Sequence, residues 1–576
     1  MGAAMERKCR ETGKVFEITS EDLAFYERVS PQYGGMTLSI PPPTLCPEAR
    51  QRRHLTFRNE RTLYRRNCSS SGKPLVSIYS PQAPCPVFSS EIWFGDSWDG
   101  MSYGRPFDFS KTFFEQYAEL SKVVPRPALL HRTGNENSPY TNLVSENRNC
   151  HYVFAASKNE DCYYSTYIQR CRDVADSFFI FDSELCYECI DCFSCYRLRY
   201  SQDCTSCSES DFLLGCTSCK DCLGCVSLTS ARYCLFNKQL TRDGYFEAVA
   251  KLKARPDCSD YIASSLAVLC STTPRKYYSG IDNLDCTGDH LAHCKNSHYC
   301  FDCTGLEDCK RCTWLHNSKD CYDCYAWGLP GELVLENHLV GNNFYQVIFS
   351  QDCSDNISHL CYCQTCHLGS SHLFGCIGLK KKQYCILNYQ YSRTEYEALI
   401  PRIVDHMRET KEWGEYFPQS LSPFGYNETV AQEYFPLTEQ EVRQMGWNWR
   451  SDELPGVYGK ADGTKTELSQ PIDEVSSEIC EKTFSCSVTG KNFRFTKPEI
   501  TLYKKLQVPL PDRCFDARYS ARFAKRNPRQ LFARDCPKCG QELLSPFAKE
   551  RPECIYCEPC NLSSTQVLTE NSPTKR

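Results

Sequence analysis

From Thr141 to Asn237, every residue whose number divides by three is Cys, Ser, Val, Ile, Leu, Ala, Asn or Thr, 33 positions in succession. None is charged, aromatic or glycine, and all 14 cysteines between Cys150 and Cys234 fall on them. A regular strand alternates with period two. An inward residue at every third position therefore requires very short extended pieces separated by corners. Between the inward positions stand Asp161, Tyr163, Tyr164, Glu188, Asp191, Tyr196, Asp203 and Asp221, read as solvent-facing. The three-residue spacing is similar to that of cysteine-laddered insect antifreeze solenoids, without their threonine array.

Spacing by 18 aligns Cys171, Cys189, Cys207 and Cys225 in one column. Cys186, Cys204 and Cys222 form a second, and Cys162, Ile180, Leu198, Cys216 and Cys234 a third. The expectation is a cysteine-lined β-solenoid of about 18 residues per coil. Cys186-Cys189-Cys192-Cys195 and Cys216-Cys219-Cys222-Cys225 have the look of metal or iron–sulfur strings. The columns favour small core fillers instead, because Ile180 and Leu198 share a column with Cys162. The pattern returns from Gly288 to Cys324 and loses register near Trp327, with 328–348 reading as an insertion. Tyr233-Cys-Leu-Phe-Asn237 and Tyr384-Cys-Ile-Leu-Asn388 then end matching halves, each running into a helical stretch. Ser392 and Glu395 form a capping box for the second, which Pro401 interrupts.

At the far end, Cys536-Pro-Lys-Cys539-Gly and Cys557-Glu-Pro-Cys560 are two Cys-x2-Cys pairs separated by the segment Gly540–Tyr556, the ligand set of one structural Zn2+ site. The N-terminal region repeats this module. Cys486-x2-Thr489-Gly-Lys491 matches Cys9-x2-Thr12-Gly-Lys14, and Cys514 matches Cys46. Cys68 follows Cys46 at the same interval at which Cys536 follows Cys514. Projected back, Cys539, Cys557 and Cys560 become Ser71, Ser89 and Ile92, so the N-terminal copy is expected to keep the scaffold without the metal. Cys9/Cys46 and Cys486/Cys514 supply only two ligands per copy, too few for a further zinc site.

Both copies carry a basic run. Residues 46–68 hold seven Arg against two Glu, and residues 513–534 hold six Arg and one Lys against one Asp. With interleaved aromatics, Arg50, Arg53, Arg58, Arg518, Arg522, Arg526 and Arg529 are candidate contacts to RNA or a partner. The slightly favoured alternative pairs them with the acidic solenoid loops of the same molecule, since the chain is net negative at −5.

The 42 cysteines in 576 residues, without an apolar run in Met1–Arg10, lead to the expectation of a reducing cytoplasm. No 18-residue apolar stretch exists, so no membrane span is expected. No phosphate-binding loop is present, and no small-molecule substrate is inferred. The segments Phe107-Asp-Phe-Ser-Lys-Thr-Phe-Phe114, Asn147–Tyr152, Gly414–Thr429, Ala431–Leu437 and Arg526–Cys560, with the two Tyr-Cys-x2-Asn ends, carry a resemblance covering all but 451–478 and 561–576. The chain resembles an uncharacterised family of long, cysteine-rich zinc-ribbon proteins of small-genome candidate-phylum bacteria. That resemblance implies a zinc ribbon and no established activity. Some relatives bear a CoA-transferase label, for which this chain shows no core.

The fold class expected is mainly β: a duplicated Cys-lined β-solenoid flanked by zinc-ribbon-like α+β modules, with helical connectors. The boundaries are 1–135 (degenerate ribbon), 140–238 (first solenoid), 239–280 (connector), 281–390 (second solenoid), 391–450 (helical segment with the Trp447/Trp449 anchor), 451–478 (polar linker), 479–561 (zinc ribbon) and 562–576 (disordered tail). The function expected is a non-catalytic zinc-binding scaffold or adaptor for a protein or RNA partner. The alternatives are a thiol-based metal or redox reservoir, or an enzyme with an unrecognised site.

Overall fold

The computed structural model describes residues 4–451 and 461–570. Residues 452–460 of the expected linker and 571–576 of the expected tail lie outside the described residues. The chain divides into two compact units, residues 1–128 with 278–451 and residues 129–277 with 452–576. Each joins one chain terminus to one cysteine-rich array, and many short strands form mostly parallel sheets.

In the second unit, Phe154–Ser157, Thr166–Gln169, Phe178–Phe181, Ile190–Phe193 and Gln202–Thr205 pair in parallel, Phe154 facing Thr166, Thr166 facing Phe178, Phe178 facing Ile190 and Ile190 facing Gln202. Tyr196–Arg199, Ser208–Asp211, Lys220–Leu223 and Arg232–Leu235 pair at the same interval, i to i+12. Single bridges such as Arg148 to Glu160 to Arg172 to Glu184 keep it as well. The repeat is therefore i to i+12, and the expected i to i+18 is corrected. Both intervals are multiples of three, so both keep the inward positions inward. Cysteine identity produced the 18-residue columns, whereas backbone pairing is indifferent to identity. A column at the true interval reads Cys150, Cys162, Val174, Cys186, Leu198, Ser210, Cys222 and Cys234.

The period of three has a backbone cause. From Leu143 to Phe236 the residue before each inward one is left-handed, as in Asp161 (φ 54°), Tyr164 (52°), Tyr167 (56°) and Arg170 (53°). Two extended residues and one left-handed corner make each step. Such corners cost roughly 1–2 kcal/mol each for non-glycine residues, which accounts for the recurrent Asp. Aromatic corners recover contact by stacking on the next rung: Tyr167 on Phe179 at 4.4 Å and Tyr200 on Phe212 at 4.8 Å between ring centroids.

The interior composition follows from hydrogen bonding. At several rungs the N–H of an inward residue is accepted by the inward side chain of the preceding rung: Cys171 N–H by Asn159 Oδ1 (2.9 Å), Ser177 N–H by Ser165 Oγ (3.1 Å) and Cys195 N–H by Ser183 Oγ (3.0 Å). The inward hydroxyls and thiols donate to backbone carbonyls, Ser165 to Tyr163 O (2.9 Å), Cys162 to Glu160 O (3.3 Å) and Cys189 to Leu198 O (3.2 Å). Buried backbone groups require such partners. Short side chains with a donor or acceptor fit, and cysteine adds near-apolar bulk.

In the first unit the interval is again i to i+12 from Phe301 to Thr313 to Tyr325. It lengthens by one at Leu329–Asn342, Phe344–Ile357 and Leu360–Leu373, then returns at Ser371–Gln383. Residues 328–348 are thus further rungs, not an insertion. Consecutive left-handed residues Asp355–Asn356 and Leu368–Gly369 absorb the extra residue in two of these rungs.

Each array is closed by an asparagine. Asn237 accepts from Val226 N–H and donates to Val226 O, both 2.9 Å. Asn388 does the same to Ile377 at 2.7 and 2.8 Å. Helices follow: Arg242–Lys253, and Arg393–Glu409, which passes through buried Pro401 behind the Ser392/Glu395 capping box. In the first unit Trp447 stacks on Tyr426 at 5.7 Å, behind the helix Glu439–Gln444. A helix, Glu558–Glu570, occupies the first part of the expected tail. No described helix is long and apolar enough to cross a membrane.

Candidate metal centre and the basic helices

Four tight turns share one construction. Cys9, Cys68, Cys486 and Cys536 donate their N–H groups to the carbonyls of Lys14, Lys73, Lys491 and Gln541 (2.8–2.9 Å), and their own carbonyls accept from Gly13, Gly72, Gly490 and Gly540 (2.8–3.0 Å). These glycines have φ of 69–75°, which L side chains adopt only under strain. Beyond each turn stands the start of a helix: Pro47–Leu55 after Cys46, Ser90–Phe94 after Ser89, Phe515–Phe523 after Cys514, and Glu558–Glu570 after Cys557. Both the turn's N–H groups and the helix start direct positive dipoles at the first sulfur.

The last copy has thiols at all four positions. The sulfurs of Cys536, Cys539, Cys557 and Cys560 lie within 4.8 Å of one another, with Cys539 and Cys557 at 3.6 Å. Burial opposes ionisation of Cys536, but the backbone N–H groups of Cys557, Cys539 and Lys538 outweigh it and draw the thiol down to about 6. The hydrogen-bonded Cys557 thiol, then burial, push Cys560 up to about 12. Accumulating thiolate charge is the repulsion a divalent cation relieves. The donor set therefore fits a metal ion in tetrahedral thiolate coordination with no position left for substrate.

The N-terminal turn at Cys68 keeps the same geometry with Ser71, Ser89 and Ile92 in the other positions. Ser89 N–H reaches Cys68 Sγ at 3.4 Å, as Cys557 N–H reaches Cys536 Sγ at 3.4 Å. Sequence spacing did not identify Cys9/Thr12/Cys46/Ala49 and Cys486/Thr489/Cys514/Ala517 as two more copies. The readable signal was Cys-x2-Thr-Gly-Lys aligned with Cys536-x2-Cys539-Gly. Interior array cysteines are absent from the convergent groups of three or more ligands among the described residues.

The seven arginines singled out lie on or just after two of these helices. In the first unit, Arg50 is 1% exposed. It donates to Leu45 O (2.7 Å) and, through both Asp323 oxygens, forms a fork at 2.9 and 3.2 Å. Arg53 bonds Glu336 at 2.8 Å and Glu415 at 3.2 Å. Buried Arg58 pairs with Glu60 and lies 3.5 Å from His338 Nε2. In the second unit, Arg518 pairs with Asp176, bonds Tyr503 OH at 2.9 Å and lies over the Tyr164 ring at 4.5 Å. Arg522, 1% exposed, reaches Asp176 (3.0 Å) and Glu188 (2.8 Å). Arg526 pairs with Asp191 at 2.7 Å and covers Phe179 at 4.2 Å; Arg529 is half-buried. Asp176 and Glu188 are left-handed corners one rung apart, and so are Asp323 and Glu336. Arg50, Arg53, Arg58, Arg518, Arg522 and Arg526 are thus held by carboxylates within their own unit, the arrangement the sequence offered as the alternative to an external contact.

No family model matches the chain, and no curated protein matches it.

Proposed function

We propose that the protein is a zinc-stabilised, non-catalytic cytoplasmic scaffold whose two arrays are β-solenoids presenting extended faces to a protein partner. The observation that carries this reading is the separation of roles among the cysteines. Interior thiols donate to backbone carbonyls, while the four at 536, 539, 557 and 560 converge on one point. The C-terminal module is then a zinc ribbon, and the array thiols are core. A metal reservoir would need thiolates where these S–H groups are already bonded. Repeated flat faces suit partner binding. A protein is favoured over RNA because the best-placed arginines are buried against their own arrays. As part of this proposal, the protein belongs with the cysteine-rich zinc-ribbon family whose Tyr-Cys-x2-Asn ends it shares; here those ends carry the Asn237 and Asn388 clamps.

Metal analysis with a thiol count on the native protein tests the reading. One zinc per chain, lost in Cys557→Ser, supports it; several metals per chain, or iron with visible absorption, replaces it with the reservoir. RNA binding that falls steeply with salt would transfer the partner to RNA.

A further inference from the structure

The two turns that retain only two cysteines are built for a different use of sulfur. At the first, Cys9 Sγ accepts the Thr12 N–H at 3.5 Å, with the N–H groups of Glu11 and Cys46 also directed at it. Thr12 Oγ1 lies 3.7 Å from Cys46 Sγ, so one threonine touches both sulfurs. The second repeats this in the other unit: Thr489 N–H to Cys486 Sγ at 3.5 Å, and Thr489 Oγ1 to Cys514 Sγ at 3.6 Å. Ala49 and Ala517 stand where the intact site has Cys560, which leaves a metal with half a coordination shell.

We propose that Cys9–Cys46 and Cys486–Cys514 are two equivalent peroxide-reactive dithiols, each closing reversibly to a disulfide. The sulfurs within each pair differ in character. Burial opposes ionisation of Cys9 and Cys486, yet the N–H groups around them, with the threonine hydroxyls, draw both down to about 7. Burial pushes Cys46 and Cys514 up. One thiol of each pair is therefore the nucleophile and the other the resolving group.

The Cys9 thiolate attacks one oxygen of a hydroperoxide, the O–O bond breaks, and the second oxygen leaves as hydroxide or alkoxide and takes up a proton. Cys9 becomes a sulfenic acid. The Cys46 sulfur then attacks it, forming the S–S bond; the Cys46 proton departs with the sulfenic hydroxyl as water. With hydrogen peroxide, two thiols give up two electrons and two protons, and two waters form. Exposure of 2% at Cys9, 3% at Cys46 and Cys486, and 6% at Cys514 admits a small oxidant in preference to a disulfide-bearing protein.

The test treats full-length, zinc-loaded protein with stoichiometric hydrogen peroxide, followed by acid quench, alkylation and non-reducing peptide mass spectrometry. The expected result is loss of four alkylatable thiols per chain, recovered as the two linked peptides lighter by two hydrogens and reversed by dithiothreitol, with array thiols intact. In Cys46→Ser, Cys9 should accumulate as a dimedone-reactive sulfenic acid; Thr12→Val, which keeps both thiols, should slow closure. Oxidation of array cysteines ahead of these pairs, or overoxidation of Cys9 without a link to Cys46, overturns the proposal. Zinc content, read on the same samples, separates this outcome from failure of the zinc reading.

Discussion

The turns at Cys68 and Cys536 have the same backbone hydrogen bonds but different means of support. Around Cys68, Val87–Phe88 pairs in parallel with Arg126–Pro127, and Trp93, fully buried, donates from Nε1 to Pro125 O at 3.0 Å. Ser89 accepts the Ile92 N–H at 3.4 Å and caps the helix. Around Cys536, among the described residues, a small buried cluster holds Cys536, Leu543 and Cys557, with Tyr277, Tyr556 and Cys560 against it. The Cys68 turn is held by packing, whereas the Cys536 turn brings together four thiols that could hold a metal. The largest expected effect follows. Chelation, or Cys557→Ser, should remove a binding free energy on the order of 10 kcal/mol and release protection from hydrogen exchange in Phe532–Ser545 and Ile555–Tyr556. Tyr64–Ser77 should stay protected. Equal loss at both turns would break the comparison.

The two basic helices are more alike than their turns. Arg50 on Asp323 and Arg518 on Asp176 each place a guanidinium over a corner carboxylate, and each carboxylate is fully buried. Removing one partner of a buried pair leaves the other uncompensated, at a cost of about 3–5 kcal/mol. Arg50→Ala and Arg518→Ala should each destabilise mainly their own unit by that amount in chemical denaturation. Adding Asp323→Asn or Asp176→Asn should restore part of it. A wild-type midpoint for either single variant would mean that the pair orients the helix without stabilising the unit.

These pairings were legible as charge but not as geometry. Six arginines in 513–534 and the acids in the array announce an attraction, and nothing local says that Asp176 and Glu188 arrive on adjacent rungs of one edge. The inward period of three was legible because packing selects it residue by residue. The repeat length was not, because any multiple of three preserves that selection. The longer rungs of the first unit were hidden for the converse reason: one added corner at Asp355–Asn356 moves the pattern out of phase while leaving the pairing intact. The four converging cysteines were legible because metal chemistry fixes identity as well as spacing, and Thr12 and Thr489 were missed because identity had changed on an unchanged backbone.

Two acids beside the arginines, Glu336 and Glu499, respond to pH in opposite directions. Burial raises Glu336, but Arg53, His54 and Arg50 overcome it and hold the carboxyl at about 2. A lowered folded value adds stability above the usual range near 4.5, lost as pH falls toward about 2. Burial dominates at Glu499 despite Arg518 and hydrogen bonds from Thr496 N–H and Tyr164 OH, and raises it to about 7. A raised folded value adds stability that is complete below the usual 4.5 and lost as pH rises through about 7. Movement from 4.5 to about 7 is worth about 3 kcal/mol. Between pH 4 and 8, Glu499→Gln should therefore flatten the stability curve relative to wild type by about that amount. Parallel curves would show that folding leaves the Glu499 carboxyl at its usual value near 4.5.

The smallest expected effect lies inside the arrays. Cys162 and Val174 occupy one column, both fully buried, and differ chiefly in the thiol's bond to Glu160 O. Cys162→Val removes a donor from a carbonyl and fills nearly the same volume, so it should cost under about 1.5 kcal/mol. Asn159 is buried on the same array and plays a different part: Oδ1 accepts Cys171 N–H at 2.9 Å, and Nδ2 donates to Ile168 O at 3.1 Å. Asn159→Leu orphans a buried donor and a buried acceptor on adjacent rungs, at about 1–3 kcal/mol each. The ordering of these two variants in urea midpoints decides what the interior selects for. If Cys162→Val is the more damaging, the thiol has a role that packing and a single S–H bond do not supply.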